Sequence, residues 1–262
     1  MKGEKKMAAD IILDAGHGGF DNGASYMGRA EKDDVLRLTL AVGEKLQQNG
    51  YNVYFTRTSD VYQSPYEKAE LANEAQGKYF ISFHRNSGVE DNLYSGVQSL
   101  VYQENETVSR IAGNINAQLE RVGFQNLGIE EIPGLIVLRE TDMPAVLLEV
   151  GFLNNDIDNQ IFDEKFDQIV QAIVTGIEES IPVTAQAVPD RYFVQTGLFK
   201  YDVNAAYQLE RLKMQGFSGQ IHYEKPYYGV WVGHSRTLDE AVQLQNDLKK
   251  NGYTTLIVSS RE

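Results

Sequence analysis

Two histidines and two glutamates stand where apolar runs give out: His17 in "IILDAGHGGF", Glu31 in "GRAEKDDV", His84 in "ISFHRNS" and Glu149 in "AVLLEVGF". Two neutral imidazoles and one carboxylate form a donor set for catalytic zinc that leaves a fourth position open for water. A second carboxylate beside that water is the general base a metal-assisted hydrolase needs. Taken singly, most of these residues have a plainer role. A histidine after a glycine turn serves as a cap or a packing group, and an acid in the first turn of a helix complements the helix dipole with or without a metal. Glu149 is harder to explain that way, because it ends "PAVLLE", a run expected to be buried. A lone buried carboxylate is costly or takes a raised pKa.

The glycines after Asp14 have a rival reading as a phosphate cradle. A dinucleotide fingerprint is G-x-G-x-x-G at a strand–helix junction; Gly16 and Gly18 fit its first two positions, but Asp21 occupies the third. The following helix is expected only near Asp33, and no G-K-[ST] follows. The glycines instead let a strand tip come close to a ligand, since they carry no side-chain wall and tolerate positive φ. With no cysteine in the chain, any metal must take nitrogen and oxygen donors, and disulfides are excluded.

The elements that must bring these four residues together are those of an α/β sheet. Short β-branched runs at 11–15, 52–57, 79–84, 97–102, 135–139 and 145–150 predict six strands of a twisted, mostly parallel sheet. Amphipathic stretches at 33–48, 65–75, 107–122 and 165–180 predict helices on both of its faces. Several strands are apolar on both sides, as double coverage requires. In such sheets ligands bind beyond the carboxyl ends of the strands, where distant residues converge.

At 262 residues the chain has room for a second, smaller domain. Residues 1–9 read as an N-terminal tail, 10–180 as the first domain, and "IPVTAQAVPD" (181–190) as a linker. From 191 to 262 a β-α-β-β-α-β order predicts a small α+β domain with internal pseudo-symmetry, "LERLKMQGF" echoing "LQNDLKKNGY". The net charge of −13 falls almost entirely on residues before 190, while the tail is near neutral and holds 11 of the 27 aromatics and the one tryptophan, Trp231. That acidity argues against nucleic-acid binding through phosphates. No run is long enough to span a bilayer, and "MKGEKKMAAD" leads into too short an apolar stretch for an export signal.

Residues 10–180 resemble the zinc-dependent N-acetylmuramoyl-L-alanine amidases of the "amidase 3" type, bacterial cell-wall hydrolases found among autolysins, sporulation lysins and phage endolysins. The shared motifs are "DAGHGG" with "DNGA" just after it, "EKDD", Thr56 and Arg57 with Asp60, "AN" at 72–73, "SFHRNS" and "PAVLLEVGFLNN". The resemblance implies that His17, Glu31 and His84 hold zinc (Zn2+), that Glu149 is the catalytic acid/base, and that Asn86 lies near substrate. Arg85 and Lys68 depart from the family's pattern and are expected to alter substrate contacts. The tail resembles a SPOR domain, chiefly in "YFVQTGLF", which implies peptidoglycan as the partner and exposed Tyr and Trp rings that stack on sugars. The expected activity is hydrolysis of the amide between N-acetylmuramic acid and L-alanine in the bacterial cell wall. The alternatives are a non-catalytic peptidoglycan-binding protein and a zinc endopeptidase or carboxypeptidase of the same polymer.

Overall fold

A computed structural model describes residues 10–182 and 191–260, which fall into two compact units. The expected tail 1–9 and most of the expected linker lie outside the described residues.

In the first unit the chain runs β1 (Ile11–Ala15), β2 (Ser25–Tyr26), β3 (Arg29–Ala30), α1 (Glu31–Gln48), β4 (Val53–Phe55), α2 (Pro65–Glu74), β5 (Tyr79–Asn86), β6 (Val97–Val101), α3 (Glu106–Val122), β7 (Asn126–Glu131), α4 (Ile136–Arg139), β8 (Ala145–Phe152), α5 (Asp156–Glu164) and α6 (Phe166–Ser180). Six strands form one sheet in the order β4-β1-β5-β8-β6-β7, parallel except where β6 meets β8. Ile12, Phe80, Ala145 and Leu147 face α2 and α4. On the opposite face α1, α3 and α6 pack together, close enough that a Cβ at Gly176 would lie 2.6 Å from the backbone of Ile115. Both faces are therefore covered, as expected of strands apolar on both sides.

Three local expectations are corrected. The run at 135–139 is not a strand: it makes one helical turn, α4, whose Val137 and Leu138 are buried in the α2 cluster. A short apolar run carries too little periodicity to separate the two states. The sixth strand is instead β7, a partly exposed edge strand whose apolar signal is only the alternating pair Leu127 and Ile129, flanked by polar residues and glycine. Helix α5, capped by the Asn155 side chain on the N–H groups of Ile157 and Asp158, was not anticipated. Helix α1 begins at Glu31 rather than Asp33, and puts Glu31, Asp33 and Asp34 in its first turn, where the helix dipole favours acids.

Beneath the carboxyl end of the sheet lies a buried polar cluster. Asp14, on β1, receives the Lys68 ammonium at 2.7 Å, the Ser82 hydroxyl at 2.7 Å and the Thr56 hydroxyl. Burial pushes the Asp14 carboxyl up, but Lys68 and the hydroxyls outweigh it and hold the group at about 2. Lys68 is only 4 % exposed. The expectation that it contacts substrate is thereby corrected: Lys68 projects from α2 into the interior and its charge is committed to Asp14.

The second unit is β9 (Arg191–Phe199), α7 (Asp202–Met214), β10 (Gly219–Glu224), β11 (Tyr227–Ser235), α8 (Leu238–Lys250) and β12 (Leu256–Ser260). Its antiparallel sheet has the order β10-β11-β9-β12, with Val194, Val230 and Val232 packed on Ala205, Leu212 and Leu248 of the two helices. The β-α-β-β-α-β order is the expected one.

Because the Asp14 carboxyl is held below its ordinary value of 3.8, it contributes stability at neutral pH that is lost as pH falls through its folded pKa of about 2. Urea midpoints should therefore fall between about pH 4 and about pH 2, and this decline should be shallower in Asp14→Asn, where the other depressed carboxyls alone remain to titrate. That variant should also lose about 3–5 kcal/mol at neutral pH, because it strands the Lys68 ammonium.

Candidate metal centre

The first unit gathers its chemical groups at one end of the central strands. His17 follows the tip of β1, His84 lies on β5, and Glu149 sits on β8 directly across the ladder from His84. Glu31 enters from the N-terminus of α1. Its Oε2 lies 3.1 Å from His17 Nε2, and its Oε1 accepts a hydrogen bond from His84 Nδ1 at 2.8 Å. The two imidazoles meet edge to face, ring centres 4.9 Å apart. One donor atom from each of His17, Glu31 and His84 falls within 4.8 Å of the others. The three groups expected to act together are together.

Close approach requires two glycines. A Cβ at Gly16 would overlap the His84 ring, and one at Gly23 would lie 2.5 Å from Glu31 Oε2 and from the His17 ring. The peptide before His17 is fixed from behind: the Ala15 carbonyl accepts from Lys68 Nζ and from Arg57 Nε, and the Gly16 carbonyl accepts from Arg57 Nη2 at 2.7 Å. Arg57 is 0 % exposed. Asp60 completes the clamp, accepting from Gly19 N at 2.7 Å and from Lys32 Nζ at 2.9 Å.

Glu31 is almost fully buried. Burial alone would raise its pKa, yet hydrogen bonds and charge from His17 and His84 hold the carboxyl far below the usual range. His17 shows the converse. Burial lowers its pKa, but Glu31 and Asp21 outweigh that and raise it to about 8. Glu149 has no such partners. The residue keeps some accessible surface, but its Oε2 atom is buried and accepts no hydrogen bond. Burial pushes this carboxyl up to about 7, with Glu31 adding repulsion against the opposing pull of His84 and His17. Three converging nitrogen and oxygen donors beside an orphaned carboxylate oxygen fit a divalent ion with nitrogen–oxygen preference, zinc among them.

Alternation along β5 separates its last residues. Asn86, two positions beyond His84, ends the strand partly exposed, its Oδ1 accepting from Ser87 N. Arg85 points the opposite way. It is 1 % exposed, donates to Asp34 Oδ2 at 2.7 Å and lies over the Phe162 ring at 4.4 Å. The expectation that Arg85 touches substrate is therefore corrected: period two sends its side chain beneath the sheet. Only its backbone reaches the centre, where the Arg85 N–H donates to Glu31 Oε1 at 3.0 Å. Sequence reasoning quoted Asp21 and Arg57 within motifs but gave neither its supporting role. The available signals were a carboxylate four residues past His17 across a glycine turn, and an arginine directly after a β run.

Residues 11–179 match the family model described as N-acetylmuramoyl-L-alanine amidase. The chain belongs to this amidase family. The amidase is 30% identical over 217 residues to the sporulation-specific N-acetylmuramoyl-L-alanine amidase of Bacillus subtilis (strain 168), covering 80% of this chain and 83% of that protein. Among solved structures it is similar to the catalytic domain of CwlV, an N-acetylmuramoyl-L-alanine amidase of Bacillus (Paenibacillus) polymyxa var. colistinus, at 31% identity and a TM-score of 0.61, covering 66% of this chain and 98% of that one. An N-acetylmuramoyl-L-alanine amidase of Clostridium difficile 630 matches with 31% identity and a TM-score of 0.60, over 65% and 96% of the two chains.

Residues 188–259 of the amidase match the SPOR domain. Trp231 lies on the sheet face turned away from α7 and α8. It is 6 % exposed, stacked on His222 at 3.8 Å, tilted against Phe193, and donates from Nε1 to Gln195 Oε1 at 3.1 Å. The expectation of a freely exposed tryptophan is corrected, because neighbouring rings cover it. Tyr201, Tyr207 and Tyr223 are the exposed aromatics of this unit among the described residues.

Since the Gly16 position has no room for a side chain, Gly16→Ala should displace the His84 ring. Its affinity for zinc, titrated against a competing chelator, should fall by at least about tenfold. Gly134→Ser, at a solvent-exposed position where a Cβ meets nothing within 4 Å, should leave affinity unchanged.

Proposed function

We propose that the chain is a zinc-dependent cell-wall amidase in which His17, Glu31 and His84 hold the metal and Glu149 moves the proton. Membership of the family makes the chain an N-acetylmuramoyl-L-alanine amidase, a hydrolase acting on peptidoglycan, and its SPOR domain adds glycan binding. Among the described residues no helix is long and apolar enough to cross a membrane. Residues 10–180 would carry catalysis and 191–262 would hold the polymer.

Zinc, when bound, supplies a Lewis acid that polarises the scissile carbonyl and acidifies a water. The chain's own residues supply the rest. Glu149 accepts the proton as the water oxygen bonds to the lactyl carbonyl carbon, then returns it to the L-alanine nitrogen as the C–N bond breaks. The products are a glycan bearing a free lactyl carboxylate and a stem peptide with a free amine. Without a metal, burial holds this carboxyl up at about 7; a bound cation would draw it down toward the proton-accepting form that the first step needs. Asn86, partly exposed at the end of β5 two residues beyond His84, would contact the substrate.

The observation that carries this reading is the buried, partnerless Oε2 of Glu149 across the ladder from His84. Purified sacculi should release intact stem peptides with free L-alanine amino groups, detected by mass spectrometry. Glu149→Gln should reduce that release by about 10²–10⁴-fold with zinc affinity unchanged. Shortened peptides in place of intact ones would contradict the bond assignment, and full activity in Glu149→Gln would contradict the role of Glu149.

A further inference from the structure

Asp21 is the one carboxylate at the centre to which the proposed chemistry gives no part. Its Oδ2 lies 2.9 Å from His17 Nδ1, and its Oδ1 accepts from Gly23 N at 3.0 Å. Its backbone closes on Gly18 with two hydrogen bonds, Gly18 N to Asp21 O at 2.9 Å and Asp21 N to Gly18 O at 3.1 Å. That short turn keeps His17 in the left-handed region at a φ of 58°. The two nitrogens of the His17 ring are thus divided, Nδ1 toward Asp21 and Nε2 toward Glu31 Oε2 at 3.1 Å.

We propose that Asp21 is a positioning residue for the metal centre: its carboxylate takes the Nδ1–H of His17 and so leaves the Nε2 lone pair free to face the ion. This rests on the metal assignment made above. A neutral imidazole carries one proton, and a ring protonated on Nε2 cannot ligate through that atom. An ionised carboxylate can only accept, so a carboxylate facing Nδ1 selects the competent tautomer and fixes the ring's rotation. The turn itself needs only the backbone N and O of residue 21.

The second contact of Asp21 makes the inference sharp. Gly23 N already claims one side-chain oxygen as an acceptor. An asparagine here must keep its carbonyl oxygen on Gly23 N, which turns its NH2 group toward His17 Nδ1. That donor selects the opposite tautomer, with the proton on Nε2. Asp21→Asn, nearly identical in shape, is therefore expected to harm zinc binding more than Asp21→Ala, where water can accept from Nδ1. A purely structural role predicts the reverse order.

The test titrates zinc into metal-free wild type, Asp21→Ala and Asp21→Asn against a competing chelator, with thermal unfolding of each metal-free protein and histidine 15N spectra of the zinc-loaded forms. Affinity should fall by roughly tenfold in Asp21→Ala and by up to roughly 100-fold in Asp21→Asn. Metal-free Asp21→Ala, which loses the acceptor for Gly23 N, should unfold at a lower temperature than metal-free Asp21→Asn, the reverse of their order in zinc affinity, and zinc-loaded wild type should carry the His17 proton on Nδ1. Asparagine binding zinc as well as or better than alanine, or both variants within about twofold of wild type, would overturn the proposal while leaving the metal assignment intact. Wild type that binds no zinc would overturn both, and binding lost in His17→Ala separates the two cases.

Discussion

The carboxylate of Glu31, 4 % exposed, is gripped by the His17 and His84 imidazoles and by the N–H groups of Ala24 and Arg85, and the catalytic end of the fold is arranged to hold it there. Burying an ionised carboxylate without partners is prohibitive, so the grip has to be complete before the residue can sit inside. Position at the start of α1 adds the positive end of the helix dipole. The helix is itself tied to the sheet by the same residue that offers one of those N–H groups: the Arg85 guanidinium reaches Asp34, one turn along α1. Arg29 reaches the same Asp34 oxygen at 2.6 Å, so two guanidiniums share one acid.

The strand that delivers His17 is fixed with similar economy. Lys68 and Arg57 converge on the Ala15 and Gly16 carbonyls, and Asp14 balances the buried ammonium. The groups of the proposed centre thus stand on strands and a helix terminus, supported by a deeper layer of hydrogen bonds, which is the arrangement a precise site requires. Glu149 is supported differently. Its Oε2 has no hydrogen-bond partner, and among the described buried atoms of which that is true it is the one carboxylate and the one beside the His17–Glu31–His84 cluster.

Three residues of the cluster stood out in the sequence because they broke a local rule, His17, His84 and Glu149 lying at the ends of apolar β runs, whereas Glu31, an acid in the first turn of α1, broke none and was singled out through the company it keeps. The sheet was legible for the related reason that doubly covered strands are uniformly apolar. What could not be read follows from the same physics. Strand β7 is a half-exposed edge strand whose signal was only the alternating Leu127 and Ile129, while the apolar run at 135–139 sent a false one, being buried as a helical turn. Arg85 and Lys68 looked like surface cations facing a substrate. Only the side-chain alternation of β5 and the inward projection of Lys68 from α2 show them to be interior counter-charges. Trp231 likewise required the structure, since its sequence position does not reveal that His222 and Phe193 cover it.

The central claim is that His17, Glu31 and His84 together bind one zinc ion. The most direct measurement is anomalous diffraction at the zinc edge from crystals of the full chain grown with zinc. The account predicts one strong peak among His17, Glu31 and His84, with Glu149 alongside. A zinc-binding protein whose anomalous peak lay elsewhere, or no peak at this site at saturating zinc, would contradict it.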